Sequence, residues 1–131
     1  HMADENLLTL LQEKKTGALF ETSVLLGCLA AGCDGNSEQA RIAKEYAKHI
    51  GLAFQITDDL LDVTGTDEAM GKTLGKDAKE DKLTAVTLLG IDGAKKYAVD
   101  TAEEARLAIS MFGERAADFN ALIDSTLCRK K

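Results

Sequence analysis

Not one proline occurs among the 131 residues. Proline breaks helix interiors and shapes many of the turns on which strand-rich folds depend. Aromatic residues are also scarce, at 5%, whereas sheets draw heavily on aromatic and β-branched side chains. An all-β sandwich is thereby disfavoured. Hydrophobic residues make up 45% of the chain, enough for one globular domain and too little for two ordinary ones. They recur at spacings of three and four, the period of a helix with one buried face. The predicted fold class is all-α, a helical bundle over residues 3–131. His1-Met2 reads as the remnant of a cloning site.

The spacing predicts a helix over 5–14 with Leu7, Leu8, Leu10 and Leu11 on one side. A second, over 16–31, carries a broad apolar surface of Leu19, Val24, Leu25, Leu26 and Leu29. Residues 32–36 form a turn, since Gly32, Gly35, Asp34 and Asn36 all tolerate positive φ. Ser37 caps a helix to Thr64, striped by Ala43, Tyr46, Ala47, Ile50, Phe54 and Leu61. Residues 65–82 lack an apolar period and read as a mobile loop. A short helix over 83–89 and a break over 90–93 follow. Asp92 caps the next helix, striped by Tyr97, Ala98, Ala102, Ala105, Ile109 and Phe112, and a last helix covers 116–128. Helix 16–31 has few charges on any face and wants partners all round, so the chain reads as a piece of a larger bundle.

The formal net charge of -6 argues against generic binding to nucleic acid or anionic membrane. The longest apolar run, 24–31, falls far short of the roughly 20 residues that cross a bilayer. Cys28, Cys33 and Cys128 have no metal-ligand spacing. They are expected to be reduced thiols of a cytoplasmic protein, with Cys28 a small core residue.

The sharpest local feature is Asp58-Asp59-Leu60-Leu61-Asp62, preceded by Phe54-Gln55. On a helix Gln55, Asp58 and Asp62 stack on one face, with Asp59 beside them, so three carboxylates are expected to converge. Like charges so spaced repel, and acids near a helix C-terminus oppose its dipole. No Lys or Arg lies between Lys48 and Lys72 to offset Asp58, Asp59, Asp62, Asp67 and Glu68. A cluster with the wrong sign at a helix exit calls for an external cation. The cation expected is Mg2+, which takes hard oxygen ligands and shares its octahedron with phosphates. The plain alternative is a solvated acidic surface.

Gly71-Lys72-Thr73 lacks the P-loop spacing, and no hydrophobic strand precedes it. The better reading is a loop presenting Lys72 and Lys82 to an anion. Lys15-Thr16-Gly17 stands where one helix is expected to end and another to begin, where a Lys and free helix amides can hold a phosphate oxygen. Thr16 as a simple cap is the alternative. The basic end, Arg129-Lys130-Lys131, is read as a disordered terminus rather than a cover over the site.

In order along the chain, Lys15-Thr16-Gly17-Ala18-Leu19, Ile50-Gly51-Leu52-Ala53-Phe54-Gln55, Asp58 to Asp62, Gly71-Lys72, Gly75-Lys76-Asp77, Lys82-Leu83-Thr84 and Leu88-Leu89-Gly90 resemble the C-terminal half of a trans-polyprenyl diphosphate synthase. The geranyl/farnesyl diphosphate synthases are the nearest subgroup. The family's first aspartate-rich motif, the arginines that follow it and the N-terminal isopentenyl diphosphate site have no counterpart in these residues. The resemblance implies the isoprenoid synthase fold, a helical bundle around a deep cavity. It implies an Mg2+-dependent prenyltransferase of isoprenoid biosynthesis that joins an allylic diphosphate to isopentenyl diphosphate. Asp58, Asp59 and Asp62 would hold the metal. Lys15, Lys72 and Lys82 would bind the diphosphate. Lys15, Thr16 and Gln55 would be catalytic, with Thr16 and Gln55 turning oxygens toward the allylic cation. The chain by itself is expected to be inactive and to form a homo-oligomer, a dimer or a helix-swapped assembly. A class I terpene cyclase fragment and a noncatalytic helical interaction module are the alternatives.

Overall fold

A computed structural model describes residues 2–69 and 83–130, and every element in them is helical. Helix α1 is Met2–Gln12, α2 is Ala18–Ala30, α3 is Glu38–Ala69, α4 is Ala85–Ile109 and α5 is Ala117–Leu127. A π-turn, Glu13–Gly17, joins α1 to α2, and a 3-10 turn, Ser110–Ala116, joins α4 to α5. Among the described residues, no helix is long and apolar enough to cross a membrane.

Helix α3 is the axis of the packing. One core cluster joins its Ile42, Tyr46, Ile50 and Ala53 to Ala102, Ala105 and Ile109 of α4 and Ile123 of α5. A second joins Ile56 and Leu60 of α3 to Ala85, Ala94 and Ala98 of α4, with Leu8 of α1. Low α3 numbers thus meet high α4 numbers, so the two helices run antiparallel. The buried α4 stripe is largely alanine, and small side chains let two backbones approach closely. Tyr46 of α3 meets Phe119 near the start of α5, and Asp58 meets Arg129 just past its end, so α3 and α5 run parallel.

The turn over 32–36 forms as expected. Gly32 has φ +85°, and Asp34 Oδ1 accepts the amide of Asn36 at 2.8 Å. Ser37 Oγ then accepts the Ala40 amide at 3.2 Å, capping α3. Other boundaries move. Helix α3 runs on through Gly65 to Ala69; a lone helical glycine costs about 1 kcal/mol, too little to end a packed helix. The rest of the expected loop, residues 70–82, lies outside the described residues, and with it Lys72 and Lys82. Leu83 precedes α4 instead of starting it, because Thr84 caps the helix in a reciprocal box with Thr87. The expected break over 90–93 shrinks to Gly90 alone, at φ 72° and ψ 173°.

Side-chain phases also shift. Leu60, at 9% exposure, is the buried residue where the stripe was expected to use Leu61. Phe54 and Leu61 belong to the flank of α3 and are only half-buried. Leu8 is buried, yet Leu7, Leu10 and Leu11 are exposed. Cys28 is half-buried rather than a core residue. Helix α2 buries no side chain fully, and Leu19, Leu26 and Leu29 are exposed. An apolar groove of about 530 Å³ lies open beside it, lined by Val24, Cys28, Tyr46, Phe112 and Phe119 among others.

Tyr46 couples the core to α5. Its ring meets Phe119 edge-on with centroids 5.2 Å apart, and its hydroxyl donates to the Phe119 carbonyl at 3.1 Å. Burial pushes its pKa from 10.0 up to about 12. A pKa raised on folding gives stability that is intact below pH 10.0 and lost as pH climbs toward about 12. Tyr46→Phe is therefore expected to cost about 0.5–1.5 kcal/mol at neutral pH. It should also flatten the alkaline loss between those two pKa values, read from urea melts of the two proteins against pH.

Candidate functional site

Two of the segments picked out in the sequence meet through one side chain. Helix α2 runs antiparallel to α3, and Phe20 lies against Gly51, where an added Cβ would come within 3.3 Å of the Phe20 ring. This close approach seats the Phe20 and Phe54 rings 5.4 Å apart. One helical turn back along the chain from Phe20, the Thr16 hydroxyl donates to Gln55 Oε1 at 2.7 Å. Gln55 Nε2, one turn before the aspartates, donates to Asp59 Oδ1 at 3.1 Å. The Ala85 amide at the start of α4 donates to Asp59 Oδ2 at 3.4 Å. Thr16, Gln55 and Asp59 thus form a path from the π-turn across α3 to α4.

The Lys15-Thr16-Gly17 segment is not the helix junction expected. Gly17 is helical, at φ -57° and ψ -42°, so its surroundings hold a π-turn in a continuous helix and not a free N-terminus. The anion-binding amides anticipated there are spent inside the helix. Such π-turns add one residue per turn and recur at functional positions. Here the turn leaves Lys15 exposed beside Thr16, which is half-buried.

The three aspartates share one stretch of α3. Asp58 is 42% exposed at its side chain and accepts from Arg129 Nη2 at 3.1 Å. Asp59 is turned inward to Gln55 and Ala85. Asp62 is half-buried one turn further on. Among the described residues, no three His, Cys, Asp or Glu side chains gather closely enough to hold a metal ion. Asp58 and Asp62 nonetheless lie close enough for their charges to act on Asp59. The helix-exit argument changes. Helix α3 continues to Ala69, about two turns beyond Asp62, and the dipole acts mainly in the last turn. What strains the cluster is burial and mutual repulsion.

That strain is visible at Asp59. Burial pushes its pKa above the ordinary 3.8, the hydrogen bonds from Gln55 and Ala85 pull it down, and the charges of Asp58 and Asp62 add to the rise. Asp59 thus senses the charges of both Asp58 and Asp62.

The donor set fits a hard divalent ion that keeps most of its waters. Mg2+ is commonly held by one or two carboxylates plus substrate phosphates, without an all-protein cage. Asp58 is open enough to serve, and it already carries a cation in the form of the Arg129 guanidinium. The guanidinium carbon sits 4.0 Å from the Phe54 ring centroid. The sequence alone predicts a disordered end at Arg129. Instead Cys128 closes α5 with a hydrogen bond to the Asp124 carbonyl at 3.0 Å, which delivers Arg129 to the aspartates. The sequence signal for it was the base that directly follows the last helix.

Asp59 offers a test of the repulsion. A raised carboxylate pKa means stability that is full below 3.8 and lost as pH rises through the folded value. Asp59→Asn keeps an acceptor for Gln55 and removes the charge. Thermal melts from about pH 3 to about pH 7 in EDTA should show a smaller decline for D59N than for the parent chain. A D59N protein that declines equally would deny the strain.

The polyprenyl synthetase family model matches residues 3–118. The chain is 42% identical over 122 residues to a dimethylallyltranstransferase of Fischerella ambigua (strain UTEX 1903), covering 93% of this chain and 35% of that protein. It is 42% identical over 108 residues to the farnesyl diphosphate synthase of Escherichia coli (strain K12), covering 82% and 36%. A solved farnesyl-diphosphate synthase from Marinomonas sp. MED121 superposes with a TM-score of 0.70 at 35% identity, covering 92% of this chain and 39% of that one. The chain therefore spans about a third of the length of these relatives. With its all-helical fold and the ordered motifs that Gln55 ties together, the chain belongs to the polyprenyl synthetase family.

Proposed function

We propose that this chain carries the second metal and diphosphate half-site of an Mg2+-dependent prenyltransferase, one that joins an allylic diphosphate to isopentenyl diphosphate. The observation that supports it most is the path Thr16–Gln55–Asp59, which holds the Lys15 segment against the aspartates across α2 and α3. Family membership favours this reading over the cyclase alternative.

In the proposed roles, Asp58 and Asp62 are the carboxylates that hold Mg2+ through oxygen or water, and Asp59 completes their field while anchored to Gln55. The ion supplies Lewis acidity to the departing diphosphate. Lys15, exposed at the π-turn, neutralises a diphosphate oxygen as a rotatable point charge; Lys72 and Lys82 are assigned the same task. Thr16 and Gln55 present fixed oxygen dipoles to the allylic cation. Dipoles oriented before reaction cost no reorganisation when charge develops in a site shielded from water. The chain spends its apolar residues near this path, with Phe20 and Phe54 beside it, which helps exclude water.

By itself the chain is proposed to be inactive, since the first aspartate-rich motif and isopentenyl site implied by the family have no counterpart in these residues. A helical interaction role in isolation is favoured by one observation: α2 exposes Leu19, Leu26 and Leu29. Such seams drive association, so a homodimer or helix-swapped assembly is proposed. Three free thiols agree with a reducing, cytoplasmic setting.

Calorimetric titration of inorganic pyrophosphate into the chain is expected to give heat with Mg2+ and none after EDTA. Asp58→Asn should abolish it. Gln55→Leu, which frees Asp59 from its anchor, should weaken it about 10-fold or more, as loss of partners to metal-site carboxylates does. Equal heat with and without Mg2+ would refute the half-site. Light scattering at high concentration should show an assembly, and a monodisperse monomer would refute the association.

A further inference from the structure

Arg129 is placed expensively. Its Nη2 pairs with Asp58 at 3.1 Å and its guanidinium stacks 4.0 Å above the Phe54 ring, yet Nη1 is buried with no hydrogen-bond partner. A buried donor left unmade is costly, and a charged one more so. An arrangement retained for stability alone would satisfy both nitrogens. The partner it does have, Asp58, shares one stretch of α3 with Asp59 and Asp62. No Lys or Arg lies between Lys48 and Lys72 in sequence, and the guanidinium that reaches Asp58 comes from 71 residues away.

We propose that Arg129 is an internal stand-in for the divalent ion. In the metal-free chain its guanidinium neutralises Asp58 and holds α5 against α3. A divalent cation at Asp58 carries the same sign and claims the same oxygen, so the guanidinium has to give up Asp58 when the ion enters. Phe54 keeps the displaced side chain within reach through its ring face, because stacking does not depend on Asp58. Metal entry and release of the chain end are then one event. Arg129 is a positioning residue under this scheme: it sets how readily the aspartates take metal. The inference rests on the metal reading of Asp58 proposed above.

The test is the affinity of the full 131-residue chain for Mn2+, read as free ion by electron paramagnetic resonance at low salt. Arg129→Gln removes the competing charge and should tighten Mn2+ binding about 3- to 5-fold, the upper range expected for breaking one partly exposed ion pair. Arg129→Lys keeps the charge without the planar stack and should fall between. Lys130→Gln removes the same charge from the exposed neighbouring position and should leave the affinity within about 2-fold, since an exposed charge is largely screened. In an Asp58→Asn background R129Q should have no effect. Circular dichroism of each variant confirms the helical fold. Equal or weaker Mn2+ binding by R129Q, or the same gain from K130Q, overturns the stand-in and leaves the metal site intact. Absence of Mn2+ binding in every variant overturns the metal reading and the stand-in together.

Discussion

Gln55 is the side chain on which the site's geometry depends. An amide offers an acceptor on one side and donors on the other, and here both ends are used: Oε1 takes the Thr16 hydroxyl and Nε2 gives to Asp59. No other uncharged side chain of that length does both. Because Thr16 lies on the π-turn and Asp59 touches the first amide of α4, one residue fixes three elements that are remote in sequence. Gly51 makes this possible by letting Phe20 sit against α3.

Around that anchor like charges crowd together. Asp58, Asp59 and Asp62 crowd one stretch of α3, and burial with mutual repulsion lifts the proton affinity of Asp59. The protein's own answer is Arg129, drawn from beyond α5 onto Asp58 and Phe54. The proposed metal role follows from the open setting of Asp58, since hard divalent ions need few protein oxygens when waters and phosphates complete the shell.

Much of this was legible in the residues. The helical period, the turn at Gly32 to Asn36 and the Ser37 cap are local features, and each depends on residues within a few positions of one another. The pairing of Lys15-Thr16 with Gln55 and the aspartates was legible only through the family resemblance, because hydrogen bonds across 39 residues leave no periodic mark. Three features escaped. The end of α3 was placed at Thr64 because Gly65 looks like punctuation, but packing of the preceding turn outweighs one glycine. The π-turn at Glu13–Gly17 has no sequence signature, so it was mistaken for a helix start. Arg129 was assigned to a disordered end, although the helix before it aims it at Asp58. Helical stacking fixes where side chains begin, while Gln55 and Ala85 decide where Asp59 points and Arg129 where Asp58 does.

The exposed leucines of α2 and the open groove beside Tyr46 and Phe119 accord with a chain that spans about a third of its relatives' length. They do not touch the central claim, which concerns the crowded aspartates. The most direct measurement is paramagnetic broadening of the chain's amide resonances by trace Mn2+. The account predicts that resonances of residues 55–62 and 15–17 fade together, since Gln55 holds the two segments side by side. Broadening centred instead on exposed acids such as Glu103, Glu104 or Asp118, with residues 55–62 untouched, would contradict it.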